Sequence, residues 1–485
     1  MKHVSELPKD IPTELFIGGK WMPSSDSTTI DVIDPATAEL LAKVSNATVT
    51  DAKAAVKSAF GSQQAWEAAP PRDRAEVLRK AFELMKENSE KIAELMVLEN
   101  GKAISDARGE VAYAAEFFRW YSEEAVRLTG TLQRAPSGSN HILVMHQAIG
   151  VAVLVTPWNF PAAMATRKIG PALAAGCSVI LKPASDTPLT ALYLGKLLAE
   201  AGVPDGVVNV IPSNRSSKVV SEMLHDPRVK KLSFTGSTEV GRSLLREASD
   251  CIVNCSMELG GNAPFIVFDD ADLDMAIEGA MIAKMRNGGE ACTAANRFYV
   301  HEKIAPEFTK RLSQAMGALK LGPGLEDGVQ LGPLINAAAK DKVGSLVEDA
   351  LNFGAQVSLG ASGVEGRGYF YKATVLSDVP PNSQLLHEEI FGPVAPIVKF
   401  SSEDEVIELA NATEYGLVSY LYTNDMRRGL KVSEALGAGM IGLNRGLVSD
   451  PAAPFGGVKQ SGIGREGGHE GILEYTESKY IATSW

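Results

Sequence analysis

A cysteine and a glutamate in glycine-bearing segments are the residues of this chain best suited to covalent chemistry. Cys292 follows Gly288 and Gly289 in a turn after a helical pattern, and Glu258 ends an apolar run. A thiol becomes a nucleophile when a base lies nearby and its site lowers its pKa. On local sequence alone, a buried and inert cysteine is an equal alternative. The pair suggests a covalent nucleophile with its base.

Three further predicted strand ends carry polar groups. Asn159 follows the first strand, and its amide could face a developing oxyanion, although a turn asparagine is the commoner case. Lys182 ends the next strand and could meet a nucleotide ribose or phosphate, or could be a solvated surface lysine. Gly236 opens a helix whose free N–H groups suit a pyrophosphate. Without the G-x-G-x-x-G pattern, this last signal is weak.

Short apolar strands alternate with helical patterns from residue 150 onward. We predict strands at 151–155, 178–181, 207–211, 231–234 and 252–257, with helices at 162–175, 188–201, 216–225 and 238–248. A second alternation runs from 264 to about 443. Such alternation predicts parallel doubly wound sheets. Two α/β lobes that meet near Glu258 would leave a cleft between them for a substrate.

The ends of the chain have different patterns. Helices are predicted at 51–60, 74–100 and 110–128, and a hairpin at 130–147. The tail, 472–485, is extended and partly apolar, so it could add a strand to another subunit.

The bulk composition excludes several classes of function. The 485 residues predict two or three domains, and the net charge of −12 argues against nucleic-acid or anionic-membrane partners. No signal peptide or membrane span is predicted. The four cysteines lack zinc-ligand spacing, so no metal site is expected. A reduced, cytoplasmic protein is the expectation.

Together, these motifs resemble the aldehyde dehydrogenase superfamily over nearly the whole chain. The matching segments are Thr156 to Pro161, Phe234 to Thr238, Met257 to Asn262, the Cys292 turn, Glu388 to Pro393 and Pro454 to Gly462. The resemblance implies an α/β fold with a Rossmann-type dinucleotide-binding domain, an α/β catalytic domain and a small β oligomerisation element. The expected domains are 1–128 with 150–258, then 259–443, and 129–149 with 468–485.

The resemblance also implies the site residues. Cys292 would attack the aldehyde, Asn159 and the Cys292 N–H would hold the oxyanion, and Glu258 would activate water to hydrolyse the thioester. Glu466 matches a second family glutamate, with a role in proton relay. The dinucleotide, NAD or NADP, would be lined by Thr156, Pro157, Trp158, Lys182, Ser185, Gly236, Ser237, Leu259, Glu389 and Phe391.

Within the superfamily, the chain is most similar to succinate-semialdehyde dehydrogenases, which implies a role in GABA degradation. In that subfamily two arginines and a serine bind the distal carboxylate, and Arg167, Arg286 and Ser449 stand at the matching places. An acidic protein needs such a cationic clamp for a small anionic aldehyde. Without this context, helix-surface arginines would be the simpler interpretation.

Two departures from the family pattern affect these expectations. Ala294 replaces a second cysteine, so no local redox disulfide can form. Arg445 replaces a small polar residue and would add to the clamp or narrow the pocket, which leaves glutarate semialdehyde and related ω-oxo acids open.

Ser185 replaces the glutamate of NAD-selective relatives, and its hydroxyl can donate to a 2′-phosphate. We therefore expect NADP to be preferred over NAD.

Other functions remain as alternatives. A CoA-acylating aldehyde dehydrogenase would form the same thioester, but it normally lacks the glutamate that Glu258 matches. A cysteine hydrolase would need a histidine partner, and no histidine stands in a recognisable motif. A homodimer or homotetramer is expected.

Overall fold

The computed structural model describes residues 7–485, and twenty strands and fourteen helices lie within that range. The strands are β1 (Leu15–Ile17), β2 (Lys20–Met22), β3 (Thr29–Asp34), β4 (Glu39–Ser45), β5 (Thr131–Arg134), β6 (His141–Ala148), β7 (Val151–Val155), β8 (Val179–Lys182), β9 (Val208–Val210), β10 (Val229–Thr235), β11 (Asn254–Glu258), β12 (Ala263–Val267), β13 (Ala295–His301), β14 (Gln356–Leu359), β15 (Thr374–Ser377), β16 (Val394–Phe400), β17 (Val418–Tyr422), β18 (Met440–Leu443), β19 (Gly462–Ile463) and β20 (Thr476–Thr483).

The helices alternate with these strands along most of the chain. They are α1 (Val49–Ala68), α2 (Pro71–Glu87), α3 (Ser89–Asn100), α4 (Ile104–Glu124), α5 (Pro161–Ala175), α6 (Pro188–Ala201), α7 (Ser216–Leu224), α8 (Thr238–Ser249), α9 (Leu273–Met285), α10 (Ala305–Gly317), α11 (Ala337–Asn352), α12 (Glu403–Asn411), α13 (Met426–Ala435) and α14 (Glu470–Leu473). Within residues 7–485, no helix is long and apolar enough to cross a membrane.

The first large sheet has the strand order β19-β11-β10-β7-β8-β9-β1-β2. Strands β11, β10, β7, β8 and β9 are parallel to one another, whereas β19 is antiparallel to β11 and β1 is antiparallel to β9. This is the predicted Rossmann-like sheet, and its five parallel strands match the predicted ones to within about two residues. The carboxyl ends of β10, β7 and β8 therefore lie side by side, where a ligand of a doubly wound sheet binds.

The second large sheet has the order β14-β15-β16-β13-β12-β17-β18. Its strands are parallel to their neighbours except at the β14–β15 pair. A buried apolar cluster beneath it is separate from those that pack on the first sheet. The mixed α/β fold with two parallel sheets is thus confirmed, whereas the predicted domain boundaries remain a prediction.

The tail and the hairpin form a third sheet, with the order β20-β6-β5. Strand β20 pairs with β6 over eight residues, from Thr476↔Ala148 to Thr483↔His141. The predicted hairpin is present, and the tail adds its strand to the hairpin of its own chain.

One predicted helix is wrong. Residues 74–100 form two helices, α2 and α3, which meet at Asn88 with φ −101° and ψ 15°. The side chain of Asn88 bonds the Leu84 carbonyl and so closes the end of α2. The apolar periodicity continues across this break, which is why the pattern alone predicts a single helix.

Candidate active site

Backbone contacts hold the Cys292 turn in place. After α9 the chain makes a short 3-10 turn, in which Asn287, Gly288 and Gly289 have φ of 54°, 62° and 81°. A Cβ on Gly289 would lie 2.3 Å from the Gly392 carbonyl oxygen, and one on Gly261 would lie 2.5 Å from that of Cys292. The glycines are thus required by close backbone approach, and they bring Cys292 against the start of β12.

The Cys292 thiol is half-buried, and burial raises its pKa to about 12. Arg167 and Arg286 oppose this shift, while Glu389 and Glu258 add to it. The thiol is therefore protonated at neutral pH in this state. Additional positive charge, or a base, is required before it becomes a thiolate nucleophile.

Asn159 is buried, and its backbone and side chain are both anchored. Its side-chain Nδ2 donates to the Glu290 carbonyl at 3.0 Å, and its Oδ1 has no hydrogen-bond partner. Its own carbonyl oxygen accepts from Lys102 Nζ at 2.7 Å and from Asn287 Nδ2 at 2.9 Å. One amide N–H of Asn159 remains for an oxygen at the Cys292 side of the turn.

Glu258 ends β11 with a buried carboxyl group whose Oε2 has no hydrogen-bond partner. Burial raises the pKa of Glu258 well above its ordinary value, and the charge of Glu466 raises it further. Gly456 leaves room for this side chain, because a Cβ there would lie 2.8 Å from Glu258 Oε1. A carboxyl group with a raised pKa can exchange a proton near neutral pH.

Glu466 lies among cations in the same region. Its Oε2 is 2.5 Å from Arg167 Nε, and its Oε1 is 2.5 Å from Lys168 Nζ. Although burial opposes it, the charges of Lys168 and Arg167 lower the pKa of Glu466. Backbone bonds to Phe455 hold Glu466 in position, and the Phe455 ring lies 4.2 Å from the Arg167 guanidinium.

A cavity of about 260 Å³ opens beside Cys292 between the two large sheets. Its lining includes seven of the ten predicted cofactor residues, together with Cys292 and Asn159. These seven are Pro157, Trp158, Gly236, Ser237, Leu259, Glu389 and Phe391. The Trp158 and Phe391 rings meet edge to face at 5.3 Å and form one wall. Sequence reasoning missed Thr235 and Lys342, which also line this cavity.

The other three predicted cofactor residues lie outside that lining. Thr156 is buried and bonds Lys182 through the backbone. Burial lowers the pKa of Lys182 to about 8, against the opposing charge of Asp186. Ser185 lines a neighbouring polar groove with Asp186 and Asn336.

The residues present fit a dinucleotide. Thr235 Oγ1 is buried without a partner, and Gly236 and Ser237 stand at the N-terminus of α8, whose free N–H groups suit a pyrophosphate. Glu389 accepts from Gly261 N at 3.1 Å, and burial raises its pKa to about 7. Its carboxyl group can accept from ribose hydroxyls while it faces the cavity.

The side chain of Arg286 makes no salt bridge or hydrogen bond within residues 7–485. Its guanidinium lies 4.8 Å from the Phe160 ring centroid and 5.9 Å from that of Tyr113. The Tyr113 hydroxyl is buried without a hydrogen-bond partner, and the charges of Arg167 and Arg286 oppose a burial-raised pKa there. Tyr113 was missed because no motif surrounds it in α4.

The other predicted clamp residues have different surroundings. Arg167 is buried and paired with Glu466, so its charge is already partly balanced. Ser449 is half-buried, with no hydrogen bond from its side chain in the described part of the chain. Arg445 is exposed, and its charge acts on Tyr422. The structure brings Arg167 and Arg286 around Tyr113. Within residues 7–485, no hydrogen bond, ion pair or ring contact joins Arg445 to this group.

A cavity at the carboxyl ends of parallel strands is where doubly wound folds bind a dinucleotide. The chain belongs to the aldehyde dehydrogenase family, whose sequence model matches residues 21–481. Enzymes of this family oxidise aldehydes with NAD or NADP.

Three similar proteins illustrate the relationship. A succinate-semialdehyde dehydrogenase of Paenarthrobacter nicotinovorans is 55% identical over 91% of this chain and 98% of its own. A glutarate-semialdehyde dehydrogenase of Pseudomonas putida is 47% identical over 97% of this chain and 98% of its own. The crystal structure of an NADP-dependent enzyme from Escherichia coli superposes with a TM-score of 0.97, at 46% identity and with 98% of each chain covered.

Proposed function

We propose that this enzyme oxidises succinate semialdehyde to succinate, with NADP preferred as the cofactor. The observation that carries the substrate class is the unpaired Arg286 guanidinium, which lies 5.9 Å from the ring centroid of Tyr113, a residue whose buried hydroxyl has no hydrogen-bond partner. A carboxylate is the group that would satisfy both, because a charged hydrogen bond is worth about 1.5–3 kcal/mol. Arg167 and Ser449 complete the clamp.

The proposed chemical roles are those that the family resemblance implies, and the position of Cys292 and Asn159 at one cavity supports them. Cys292 Sγ adds to the aldehyde carbon, and the Asn159 amide with the Cys292 N–H stabilises the resulting oxyanion. The seven predicted cofactor residues that line the cavity would hold the dinucleotide, which would supply the hydride acceptor, and the acyl group would stay on Cys292 as a thioester. Glu258 then removes a proton from the attacking water. Glu466 supports this proton transfer electrostatically, because its charge raises the pKa of Glu258.

Glutarate semialdehyde is the second candidate, because the Pseudomonas putida relative of this name is 47% identical. The two substrates differ by one methylene, which is worth about 1–3 kcal/mol in an apolar pocket. Transfer of the thioester to CoA is the third candidate, and the buried carboxyl group of Glu258 argues for water instead.

A panel of aldehydes tests these candidates. We expect the highest kcat/KM with succinate semialdehyde, a lower value with glutarate semialdehyde, and no acyl-CoA when CoA is added. In Glu258→Gln, one equivalent of reduced cofactor should form rapidly and turnover should then be slow. Full steady-state activity of Glu258→Gln would remove this glutamate as the base, and acyl-CoA formation would favour the third candidate.

The cofactor preference rests on Ser185 and Lys182. A serine hydroxyl can donate to a 2′-phosphate, and no carboxylate stands at this position to repel it. The NADP dependence of the Escherichia coli relative supports this assignment. Ser185→Glu should lower kcat/KM for NADP and shift the preference towards NAD. A wild-type preference for NAD that the glutamate leaves unchanged would contradict it.

The third sheet supports assembly into a homodimer or homotetramer. Leu132, Met145 and Ile481 share one face of this sheet by their pairing register, and they are 60%, 42% and 39% exposed. Clustered exposed apolar side chains are typical of a protein interface. A second copy of this chain is the proposed occupant of that face.

A further inference from the structure

The segment at the carboxyl end of α3 binds the backbone on either side of the proposed oxyanion donor. Asn100 Nδ2 donates to the Trp158 carbonyl at 3.1 Å, and Lys102 Nζ donates to the Asn159 carbonyl at 2.7 Å. Gly101 between them has φ 89°, and a Cβ there would lie 2.8 Å from Pro333. Two successive carbonyls of the turn after β7 are thus held by side chains from one segment.

Lys102 also joins this turn to the helix that follows it. Its Nζ lies 2.5 Å from Glu110 Oε2, and both side chains are fully buried. The other oxygen of Glu110 accepts from Ala162 N at 2.9 Å and Ala163 N at 3.2 Å. No cap comes from Phe160, so Glu110 satisfies the first N–H groups of α5 in its place. Asn159 therefore lies between two anchored points.

A fixed backbone at Asn159 matters because its amide can reach more than one acceptor. In this structure Nδ2 donates to the Glu290 carbonyl, while the second N–H remains for the reacting oxygen. Oxyanion donors act only at about 2.7–3.1 Å from the developing charge, and losing one costs about 10²–10³ in rate. A misplacement of about 1 Å has effects of similar size.

We propose that Lys102 is a positioning residue for Asn159: its amine holds the Asn159 carbonyl so that the side-chain amide faces the oxygen formed at Cys292. This inference rests on the proposed role of Asn159 as the oxyanion donor. Asn287 is the second holder, because its Nδ2 reaches the same carbonyl at 2.9 Å. Neither residue contacts the reacting atoms.

The test separates this contact from the buried ion pair. Lys102→Met alone would leave the Glu110 carboxylate buried and unpaired, so the test variant is Lys102→Met with Glu110→Gln. The amide oxygen of a glutamine at 110 still caps α5. Glu110→Gln alone is the matched reference because it retains the Lys102 amine, and wild type controls for the unpaired ammonium that this reference leaves buried. The difference between the double variant and this reference is assigned to the bond to Asn159 when Glu110→Gln itself keeps the wild-type rate.

We expect the double variant to form reduced cofactor about 10- to 100-fold more slowly than the reference in the first turnover. The dissociation constant of NADP and the KM for the aldehyde should change less than about twofold on the same grounds. Asn287→Ala should show the same split and does not disturb the ion pair. A full first-turnover rate in both variants, or a parallel loss of NADP binding, would overturn the proposal.

A mutant cycle with Asn159→Ala completes the test. If Lys102 acts through Asn159, the same double substitution should cost less than about threefold in the Asn159→Ala background. Equal losses in both backgrounds would overturn positioning while leaving the oxyanion role intact. Full activity of Asn159→Ala itself would instead remove the oxyanion role, and the positioning role with it.

Discussion

At the scale of single residues, the pKa values of the buried carboxyl groups of Glu258 and Glu466 are shifted in opposite directions. Burial and the charge of Glu466 raise the pKa of Glu258, while Lys168 and Arg167 lower that of Glu466 despite its burial. Such a divergence between neighbouring acids is typical of acid–base sites. Glu258 is therefore the member of the pair that keeps its proton to higher pH.

Glu466→Gln should therefore shift the pH dependence of thioester hydrolysis. Glu258 acts as a base only when ionised, so hydrolysis falls as the pH drops through its pKa. Removing the Glu466 charge lowers that pKa and leaves Arg167 and Lys168 uncompensated, so the acidic limb should move to lower pH. Single-turnover hydrolysis across pH measures this shift. Glu258→Gln, as control, should abolish the limb, and a limb that moves to higher pH would contradict the electrostatic coupling.

Arg286→Met should raise KM for succinate semialdehyde about tenfold or more, from about 1.5–3 kcal/mol for a charged contact. Tyr113→Phe should have a smaller effect, since a neutral hydrogen bond is worth about 0.5–1.5 kcal/mol. Butanal, which has four carbons and no carboxylate, should be oxidised equally well by both variants and wild type. Exposed Arg427→Met controls for the loss of a cation, and equal losses with butanal would assign Arg286 to the fold.

The sequence indicates which residues line the candidate site better than it indicates which side chains pair with one another. Cys292, Asn159 and seven of the predicted cofactor residues do line one cavity, because each lies at a strand end or turn with a recognisable motif. The salt bridge between Arg167 and Glu466 joins positions 299 residues apart, and no local pattern encodes it. Tyr113 lies inside α4 without a motif, so only the packing of α4 against α5 reveals it.

At the scale of secondary-structure elements, the start of β12 passes so close to the Cys292 turn that only glycine fits at 261. Gly261→Ala would place a Cβ 2.5 Å from a backbone oxygen that cannot move without moving Cys292. We expect about 1–3 kcal/mol of destabilisation and a marked fall in kcat. Thermal unfolding and steady-state kinetics measure the two effects.

Gly344→Ala is the matched control for this change. Gly344 lies within α11, and a Cβ there has nothing within 4 Å. Its replacement should stabilise the protein by about 0.4–1 kcal/mol without altering kcat. If Gly261→Ala behaved like Gly344→Ala, the close approach would not constrain the nucleophile.

Element boundaries were predictable where turn residues mark them. Helix α6 and strand β7 have the predicted bounds, because Pro188, Gly202 and Gly150 flank them. The break at Asn88 and the short strands β1 to β4 were not predicted. The helical periodicity continues across Asn88, and the four strands are only three to seven residues long, so tertiary contacts such as the antiparallel β1–β9 pair are needed to define them.

At the scale of the whole molecule, the exposed apolar face of the third sheet predicts assembly. Ile481→Glu should place a charge within the proposed interface and shift the mass in solution towards the monomer, as measured by light scattering. Ile252→Glu is the control, because Ile252 is 92% exposed and is not part of this sheet. A wild-type monomer, or an oligomer that resists Ile481→Glu, would exclude this face as the interface.

The complete burial of α5 has a consequence for how this enzyme can change over generations. All fifteen residues of the helix are buried, and one of them, Arg167, is ionically tied to Glu466. A mutation at Arg167 leaves the buried carboxylate of Glu466 without one of its two cationic partners. Arg286 and Ser449, by contrast, are half-buried, and their side chains form no ion pair within residues 7–485. Descendants with new aldehyde preferences should therefore arise first through Arg286 and Ser449, while α5 is inherited with little alteration.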